Sequence, residues 1–221
     1  MTTVAKSDCE CVILLHGLGR TAASMGKIEK KLSESGLRVW NRTYPSRRST
    51  IEKLANSHIT EGLRTCQDWG AGRIHFITHS LGGILVREYL QTHKIEKLDK
   101  IIMLAPPNQG SEVADKLKGN FCFKRILGPA GQQLGMGKTD KPKSFKPIPG
   151  IIGVLAGNKS YEPWFSWIFN GPNDGKVSTE ATKLEEMRDF LLVNHGHTFM
   201  MNGNDVIEQI LYFLEHSTFK K

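Results

Sequence analysis

Short apolar runs alternate along the chain with longer segments in which apolar residues recur every three or four positions. The short runs are typical of buried parallel strands, and the longer segments are typical of helices that pack on a sheet. The predicted strands are 11–15, 37–42, 73–78, 100–104, 151–156 and 189–193, and the predicted helices are 21–35, 51–69, 80–93 and 205–216. This alternation predicts an α/β fold with a mostly parallel sheet of about six strands and helices on both faces.

Residues 106–150 break this alternation. The segment contains six of the nine prolines together with several glycines and lysines. We interpret it as a partly helical excursion from the sheet, with predicted helices at 111–117 and 121–127. At 221 residues the whole chain, 1–221, is predicted to form one domain.

Composition excludes several classes of protein. With 39% hydrophobic and 24% charged residues, the chain is neither collagen-like nor disordered nor a disulfide scaffold. It lacks an apolar stretch of the roughly 18 residues that a transmembrane helix needs. Residues 1–8 do not have the apolar core of a secretory signal. These features favour a cytoplasmic location.

The net charge of +8 comes from 30 Lys and Arg against 22 Asp and Glu. The basic residues are scattered and accompany no nucleic-acid-binding motif, so no nucleic-acid partner is expected. A solvated surface is the favoured interpretation, with peripheral contact to an anionic membrane surface as the alternative.

The four cysteines do not indicate a metal site. Their spacing contains no Cys-x-x-Cys pair, so we expect no metal. Free thiols in a reducing compartment are expected, with a Cys66–Cys122 bridge as the alternative. The cysteines are Cys9, Cys11, Cys66 and Cys122.

The strongest chemical signal is Thr78-His79-Ser80-Leu81-Gly82, which joins an apolar strand directly to an amphipathic helix. Small residues two before and two after a serine let a strand and a helix approach while the serine occupies a tight turn, the nucleophile elbow. Thr78 stands where the first glycine usually lies. Ser80 is therefore the predicted catalytic nucleophile, and an ordinary helix N-cap is the alternative.

A second signal is His16-Gly17-Leu18-Gly19 at the end of the first predicted strand. Glycines there let the backbone turn its amides toward a neighbouring site, and acyl transfer needs two such donors for the oxyanion. The amides of Leu18 and Leu81 are the predicted oxyanion-hole donors. A simple strand-to-helix turn is the alternative for this segment.

These motifs resemble the α/β-hydrolases, specifically the small lipase and esterase group with His-Gly-x-Gly and a Thr/Gly-His-Ser-x-Gly elbow. The chain is also similar to the hydrolase core of glycosylphosphatidylinositol-inositol deacylase-like proteins. The resemblance runs from Cys11 to Leu214 and includes Tyr44-Pro-Ser46 and Pro107-Asn-Gln-Gly-Ser111. It implies a minimal version of the fold that lacks the family's first two strands.

In that family the acid and the histidine follow the serine in the chain. Asp174 lies in the turn-forming loop Asn170-Gly-Pro-Asn-Asp-Gly175, so it is the predicted acid, although a turn without catalytic duty is the alternative. Two histidines follow the last strand. The resemblance favours His197 because His-Thr-Phe-Met precedes the final helix, and His195 stays the second candidate.

The expected activity is hydrolysis of carboxylic esters, as in an esterase or lipase, through an acyl-enzyme on Ser80 and without a cofactor. Because neutral histidine is the working base, activity is expected to rise between about pH 6 and 7.5. A thioesterase or acyltransferase on the same scaffold is the alternative, followed by a non-catalytic binding protein. Residues 161–169 hold five aromatics that could line an acyl pocket, meet a lipid surface or simply pack in the core.

Overall fold

The computed structural model describes residues 9–161 and 163–221, and the side chains at 122–124, 163, 164 and 166 fall outside this description. The strands are β1 (Glu10–Leu15), β2 (Arg38–Asn41), β3 (Arg73–His79), β4 (Leu98–Leu104), β5 (Ile151–Gly157) and β6 (Asp189–Val193). They form one parallel sheet in the order β2-β1-β3-β4-β5-β6. All six predicted strands are confirmed, and every boundary lies within two residues of its prediction.

Helices connect the strands. They are α1 (Gly26–Glu34), α2 (Ile51–Leu54), α3 (Thr60–Asp68), α4 (Leu81–Thr92), α5 (Glu112–Leu117), α6 (Phe121–Gln132), α7 (Lys141–Ser144) and α8 (Asn204–His216). The helix predicted at 21–35 begins as a 3-10 turn, Ala22–Met25, before α1. The helix predicted at 51–69 is divided by a π-helical turn, Ala55–Ile59. Within the described residues, no helix combines the length and the apolar character that crossing a membrane requires.

The core lies in two layers, one on each face of the sheet. Side chains alternate along β1, so Ile13 and Leu15 pack with α2, α3 and α4 on one face. Val12 and Leu14 pack with α1 and α8 on the other face. The strands are therefore covered on both sides, as the continuous apolar runs indicated.

The chain changes direction across the sheet at β1. It passes from β1 to β2 on one side and then returns to place β3 on the other side. At such a switch point the loops that follow the two strands diverge and leave a crevice at the carboxyl edge. Here these loops carry the His16–Gly19 motif and Ser80.

The excursion at 106–150 forms α5, α6 and α7 rather than sheet. Ser111 caps α5, because its Oγ accepts a hydrogen bond from the Ala114 amide at 3.3 Å. Helix α6 is kinked at Gly128, where φ is 65° and Pro129 follows. A Cβ at position 128 would collide with the Arg47 carbonyl oxygen, so only glycine allows this kink to rest on the loop after β2.

The expected set of free thiols is wrong. Cys11 in β1 and Cys66 in α3 form a disulfide, and both are fully buried between the sheet and the helix. This pairing also excludes the alternative Cys66–Cys122 bridge, and the Cys122 side chain lies outside the described part of the chain. Cys9 is free and half-buried. The sequence could not reveal the pairing because the two cysteines meet only when α3 packs on β1.

Candidate active site

Ser80 lies in a strained turn between β3 and α4. Its φ of 51° and ψ of −116° are unusual for a residue with a side chain, and its amide donates to the Leu104 carbonyl oxygen at 2.9 Å. A Cβ at Gly82 would lie 2.5 Å from the Leu15 carbonyl oxygen. Glycine at 82 therefore lets α4 approach β1 and fixes the turn that presents the serine.

The threonine that replaces the usual first glycine of this elbow is accommodated by another glycine. Thr78 is fully buried, and a Cβ at Gly83 would lie 3.3 Å from its Oγ1. The absence of a side chain at 83 leaves the room that Thr78 needs. The departure from the family pattern therefore does not prevent the close contact between strand and helix.

The structure brings three of the predicted residues into one hydrogen-bonded chain. His197 Nε2 lies 3.0 Å from Ser80 Oγ, and His197 Nδ1 lies 2.7 Å from Asp174 Oδ2. All three residues are buried, with exposed fractions of 8% for Ser80, 5% for His197 and 1% for Asp174. In this arrangement Nδ1–H donates to the carboxylate, which leaves Nε2 free to accept the serine proton.

The Asp174 carboxylate is held in place by its own loop. Its Oδ1 accepts hydrogen bonds from the amides of Lys176 at 2.9 Å and Val177 at 2.8 Å. The His197 amide donates to the Asp174 backbone oxygen at 2.9 Å. Gly175, with φ of 97°, lets the loop turn back on itself. The predicted turn thus aims one carboxylate oxygen at the histidine.

His195, the second candidate base, points elsewhere. Its Nε2 lies 2.8 Å from Asp205 Oδ1 at the start of α8, and this pair is partly exposed. Of the two histidines, the structure brings His197 to Ser80.

The loop that carries Leu18 borders the elbow. The Arg20 amide donates to the Gly17 carbonyl oxygen at 3.2 Å, which closes a turn with Gly19 at a φ of 70°. A Cβ at Gly17 would lie 3.4 Å from the Ser80 Cβ, so the two loops touch. Leu81 supplies the first amide of α4, and such an amide has no acceptor within its helix.

His16 supports this loop from behind. Its Nδ1–H donates to the Gly17 carbonyl oxygen at 2.9 Å, and its Nε2 accepts from the Tyr44 amide at 3.2 Å. Its ring stacks on that of Tyr44 with centroids 3.9 Å apart, and the Tyr44 hydroxyl donates to the His16 carbonyl oxygen. Burial lowers the pKa of His16 to about 4, so the ring is neutral. These contacts give His16 a structural role behind the loop.

His79 fixes the backbone of the candidate base. Its Nε2–H donates to the His197 carbonyl oxygen at 2.9 Å. Burial, and secondly the proximity of His197, lower the pKa of His79 well below its usual value, so this ring is also neutral. His79 thus links the elbow to the loop that holds His197.

The sequence did not predict three further contacts at Thr198 and Phe199. The Arg20 guanidinium donates to the Thr198 carbonyl oxygen at 2.7 Å, and Lys176 Nζ donates to the Thr198 Oγ1 at 3.0 Å. The Arg20 side chain also lies over the Phe199 ring, 5.4 Å from its centroid. Arg20 and Thr198 are 178 positions apart, and no local spacing signals such a contact.

A cavity of about 270 Å³ opens beside Ser80 and His197. Its apolar wall comes mainly from the excursion, and Phe165 from the aromatic segment completes it. The aromatic segment therefore contributes to the cavity wall, and Trp167 in the same segment is 68% exposed. The excursion residues in the wall include Val113, Ala114, Ile126, Leu127 and Leu134.

Solved structures of hydrolases share this fold. The mature lipase BlEst2 of Bacillus licheniformis superposes with a TM-score of 0.79 at 18% identity, covering 99% of this chain and 96% of that one. A metagenomic carboxyl esterase gives a TM-score of 0.67 at 18% identity over 88% and 66% of the two chains. The phospholipase PlaB of Legionella pneumophila gives 0.63 at 17% identity over 95% and 57%. At these identities the likeness concerns the fold, and it confirms the predicted α/β-hydrolase architecture.

A comparison with curated protein sequences finds no match. The family model of palmitoyl protein thioesterases, however, matches residues 11–142. That segment includes β1, the loop with Leu18, the elbow with Ser80 and most of the excursion. Because the match spans more than half of a chain whose fold is that of lipases and esterases, this protein belongs to the palmitoyl protein thioesterase family of hydrolases.

Proposed function

We propose that this protein is a serine hydrolase that cleaves carboxylic esters through an acyl-enzyme on Ser80. The observation that carries the proposal is the continuous hydrogen-bonded chain from Ser80 Oγ through His197 to Asp174 at a strained strand-to-helix turn. A serine is a weak nucleophile on its own, and an adjacent base oriented by a third group activates it. An ordinary helix N-cap needs neither that base nor that strain.

In the proposed reaction, Ser80 Oγ attacks the ester carbonyl carbon while its proton passes to His197 Nε2. The carbonyl π electrons move onto oxygen, and the amides of Leu18 and Leu81 donate to this oxyanion. When the tetrahedral intermediate collapses, the alkoxide leaves and takes the proton from His197. Water then attacks the acyl-enzyme by the same route, which releases the acid and restores the Ser80 hydroxyl.

Asp174 has two tasks in this scheme. It keeps the proton of neutral His197 on Nδ1, and it stabilises the imidazolium that forms during each proton transfer. Because two backbone amides hold its other oxygen, the carboxylate does not turn away when the charge changes. The neutral rings of His16 and His79 hold the surrounding backbone without competing for the proton.

The acyl group is proposed to occupy the apolar wall of the cavity. Val113, Leu127 and Leu134 offer no polar side-chain atom to an acyl chain. Ile126 lines the cavity and is also 54% exposed, so the apolar wall continues to the surface of the excursion. A chain of several methylene groups is therefore expected to bind better than acetate.

A second candidate is hydrolysis of thioesters, and the match to the palmitoyl protein thioesterase family favours it. The proposed residues and steps are the same, except that a thiolate leaves instead of an alkoxide. A thiolate is the better leaving group, so a site built for oxyesters also attacks thioesters. The two candidates therefore differ in their relative rates and not in their machinery.

The test compares oxyesters and thioesters that share an acyl group. Native protein is assayed with 4-nitrophenyl esters from acetate to palmitate and with the matched 4-nitrothiophenyl thioesters. We expect hydrolysis that increases with chain length and disappears in Ser80→Ala. The exposed Ser33 on α1 gives the matched control, because Ser33→Ala should retain native rates. Cleavage of thioesters alone would support the second candidate, and no Ser80-dependent cleavage of either series would refute both.

The disulfide bears on the predicted location. A cytoplasmic location fitted the expectation of free thiols, whereas disulfides persist mainly in oxidising compartments. Thiols are alkylated as the cells are opened, and the alkylated cysteines are then counted. Alkylation of Cys11 and Cys66 would support the cytoplasm, whereas their protection as a disulfide would support an oxidising compartment. The cytoplasmic location and the contact with anionic membranes stay predictions.

A further inference from the structure

We propose that Arg20 binds an anionic group on the leaving-group side of the substrate, so that the site prefers esters or thioesters that carry a phosphate near the scissile bond. This inference rests on the proposed hydrolase function and adds a substrate class to it. It starts from the position of one guanidinium, which lines the same cavity as Ser80 and His197.

Among the described residues, Arg20 lacks the acidic partner that a cation beside a cavity usually has. Within residues 9–161 and 163–221, no carboxylate lies within ion-pair distance of its guanidinium. Its contacts are the bond to the Thr198 carbonyl oxygen and the Phe199 ring. A guanidinium carries five N–H donors in a planar fork that suits phosphate and carboxylate. One bond to a carbonyl oxygen leaves donors for a further acceptor.

The contacts of Arg20 also hold it in place. The hydrogen bond to Thr198 and the aromatic ring beneath it restrict the side chain, which is half-buried. A restrained arginine loses less conformational entropy on binding an anion than a mobile surface residue does. The cavity is thus prepared for a negative group before substrate arrives.

The described lining of the cavity offers Arg20 no acidic partner. It includes Arg20 and, among its described residues, no aspartate or glutamate. Asp174 lies on the far side of His197 and accepts from that ring and from two backbone amides.

The two sides of the cavity differ in chemistry. Most of the apolar wall comes from the excursion and from Phe165, whereas Arg20 lies on the loop after β1, which also contributes Leu18 to the wall. An acyl chain fits the apolar wall. The anion therefore belongs to the alcohol or thiol part of the substrate, which leaves toward the cationic side.

The experiment measures a preference rather than an overall rate. One arm compares 1-decanoylglycerol 3-phosphate, whose phosphate represents a lipid headgroup, with 1-decanoylglycerol. The other compares S-decanoyl-4′-phosphopantetheine, which represents a phosphate on a thiol carrier, with S-decanoylpantetheine. We expect kcat/KM to be at least tenfold higher for the phosphorylated member of one pair, and the preference to decrease as salt is raised.

Arg20→Gln should lower that preference by about 10- to 100-fold, as expected for loss of a charge-assisted hydrogen bond. Arg20→Lys should restore part of it, because lysine keeps the charge but not the planar fork. Arg64, an exposed residue of α3, gives the matched control, and Arg64→Gln should keep the native preference. If Arg20→Gln slows both members of each pair equally, Arg20 only positions the loop around Thr198 and the inference is wrong.

A binding measurement separates this inference from the hydrolase proposal. Dissociation constants of the non-hydrolysable ethers 1-decylglycerol 3-phosphate and 1-decylglycerol give the same preference without turnover. An Arg20-dependent preference in binding, with no turnover of any substrate, would refute the hydrolase and support the anion site. Turnover of all substrates, with a preference that Arg20→Gln leaves unchanged, would refute the anion site and support the hydrolase.

Discussion

Replacing Asp174 by asparagine probes the proposed mechanism at the position where its geometry is most constrained. The side chain keeps its shape but gains an NH2 group in place of one carboxylate oxygen. Asp174 Oδ1 accepts hydrogen bonds from two backbone amides, and Asp174 Oδ2 accepts one from His197 Nδ1 at 2.7 Å. In the Asp174→Asn variant the remaining oxygen satisfies the two amides best, so the NH2 group faces His197.

That orientation reverses the tautomer of His197. Its Nδ1 must then accept from the new NH2 group, so the ring proton moves to Nε2 and points at Ser80. A protonated Nε2 cannot take the serine proton. In a serine protease the same substitution lowers kcat by about 10⁴, which corresponds to about 5 kcal/mol of activation free energy. We expect a decrease of that order here.

Folding should respond much less than activity. The substitution preserves volume and the two backbone hydrogen bonds, so we expect the free energy of unfolding to change by about 1 kcal/mol or less. The assay is kcat for a 4-nitrophenyl ester, measured beside urea unfolding of the same preparation. Loss of activity without loss of stability would locate the effect in the proton transfer.

The chain provides its own control for this prediction. Asp205 contacts His195 at 2.8 Å, so Asp205→Asn makes the same chemical change beside the neighbouring histidine. This variant should retain native kcat. Less than a tenfold decrease for folded Asp174→Asn, or an equal decrease for Asp205→Asn, would refute the assignment of Asp174 and His197.

Three further predictions concern the scaffold. Gly82→Ala would place a Cβ 2.5 Å from the Leu15 carbonyl oxygen, so urea unfolding should show a loss of about 3 kcal/mol, and a loss below about 1 kcal/mol would contradict the tight packing at the elbow. Reducing the Cys11–Cys66 disulfide, whose cysteines are 55 positions apart, should lower stability by about 4 kcal/mol from loop entropy, and unchanged unfolding in reductant would contradict this. The pKa of His16 is about 4 in the fold against an ordinary 6.5, so the unfolded chain binds its proton first. The contribution of His16 to the free energy of unfolding should therefore be fully retained above about pH 6.5. It should decrease by about 3 kcal/mol as the pH falls to about 4. In the His16→Gln variant the free energy of unfolding should decrease less between about pH 6.5 and 4 than in the native protein. An equal decrease in both would contradict the role given to His16.

The fold could be predicted because its elements are locally encoded. Apolar runs of strand length, separated by helical periodicity, specified all six strands. The predicted end of a helix at Leu127 coincides with the kink of α6 at Gly128. The π-helical turn Ala55–Ile59 has no such signal, because it is associated with contacts of His58 to Trp40 and Tyr44 from other segments.

The candidate site also combines residues that the sequence indicates with contacts that only the fold reveals. Ser80 and its elbow follow from a local motif, and Asp174 and His197 follow from the chain order of a family that the chain resembles. The resemblance favoured His197 over His195, but the fold was needed to see that the path of the backbone directs the His197 ring toward Ser80 and the His195 ring toward Asp205. Contacts of Arg20 could not be predicted, since Thr198 is 178 positions away.

The most direct test of the central claim is covalent labelling of Ser80 by a fluorophosphonate, read as a mass increase on the tryptic peptide 74–87. The proposed mechanism predicts one label per chain, no label in Ser80→Ala, labelling slowed by about 10³-fold or more in His197→Ala, and native labelling in His195→Ala. Labelling of another residue, or a rate that does not depend on His197, would contradict the claim that His197 activates Ser80 as the nucleophile.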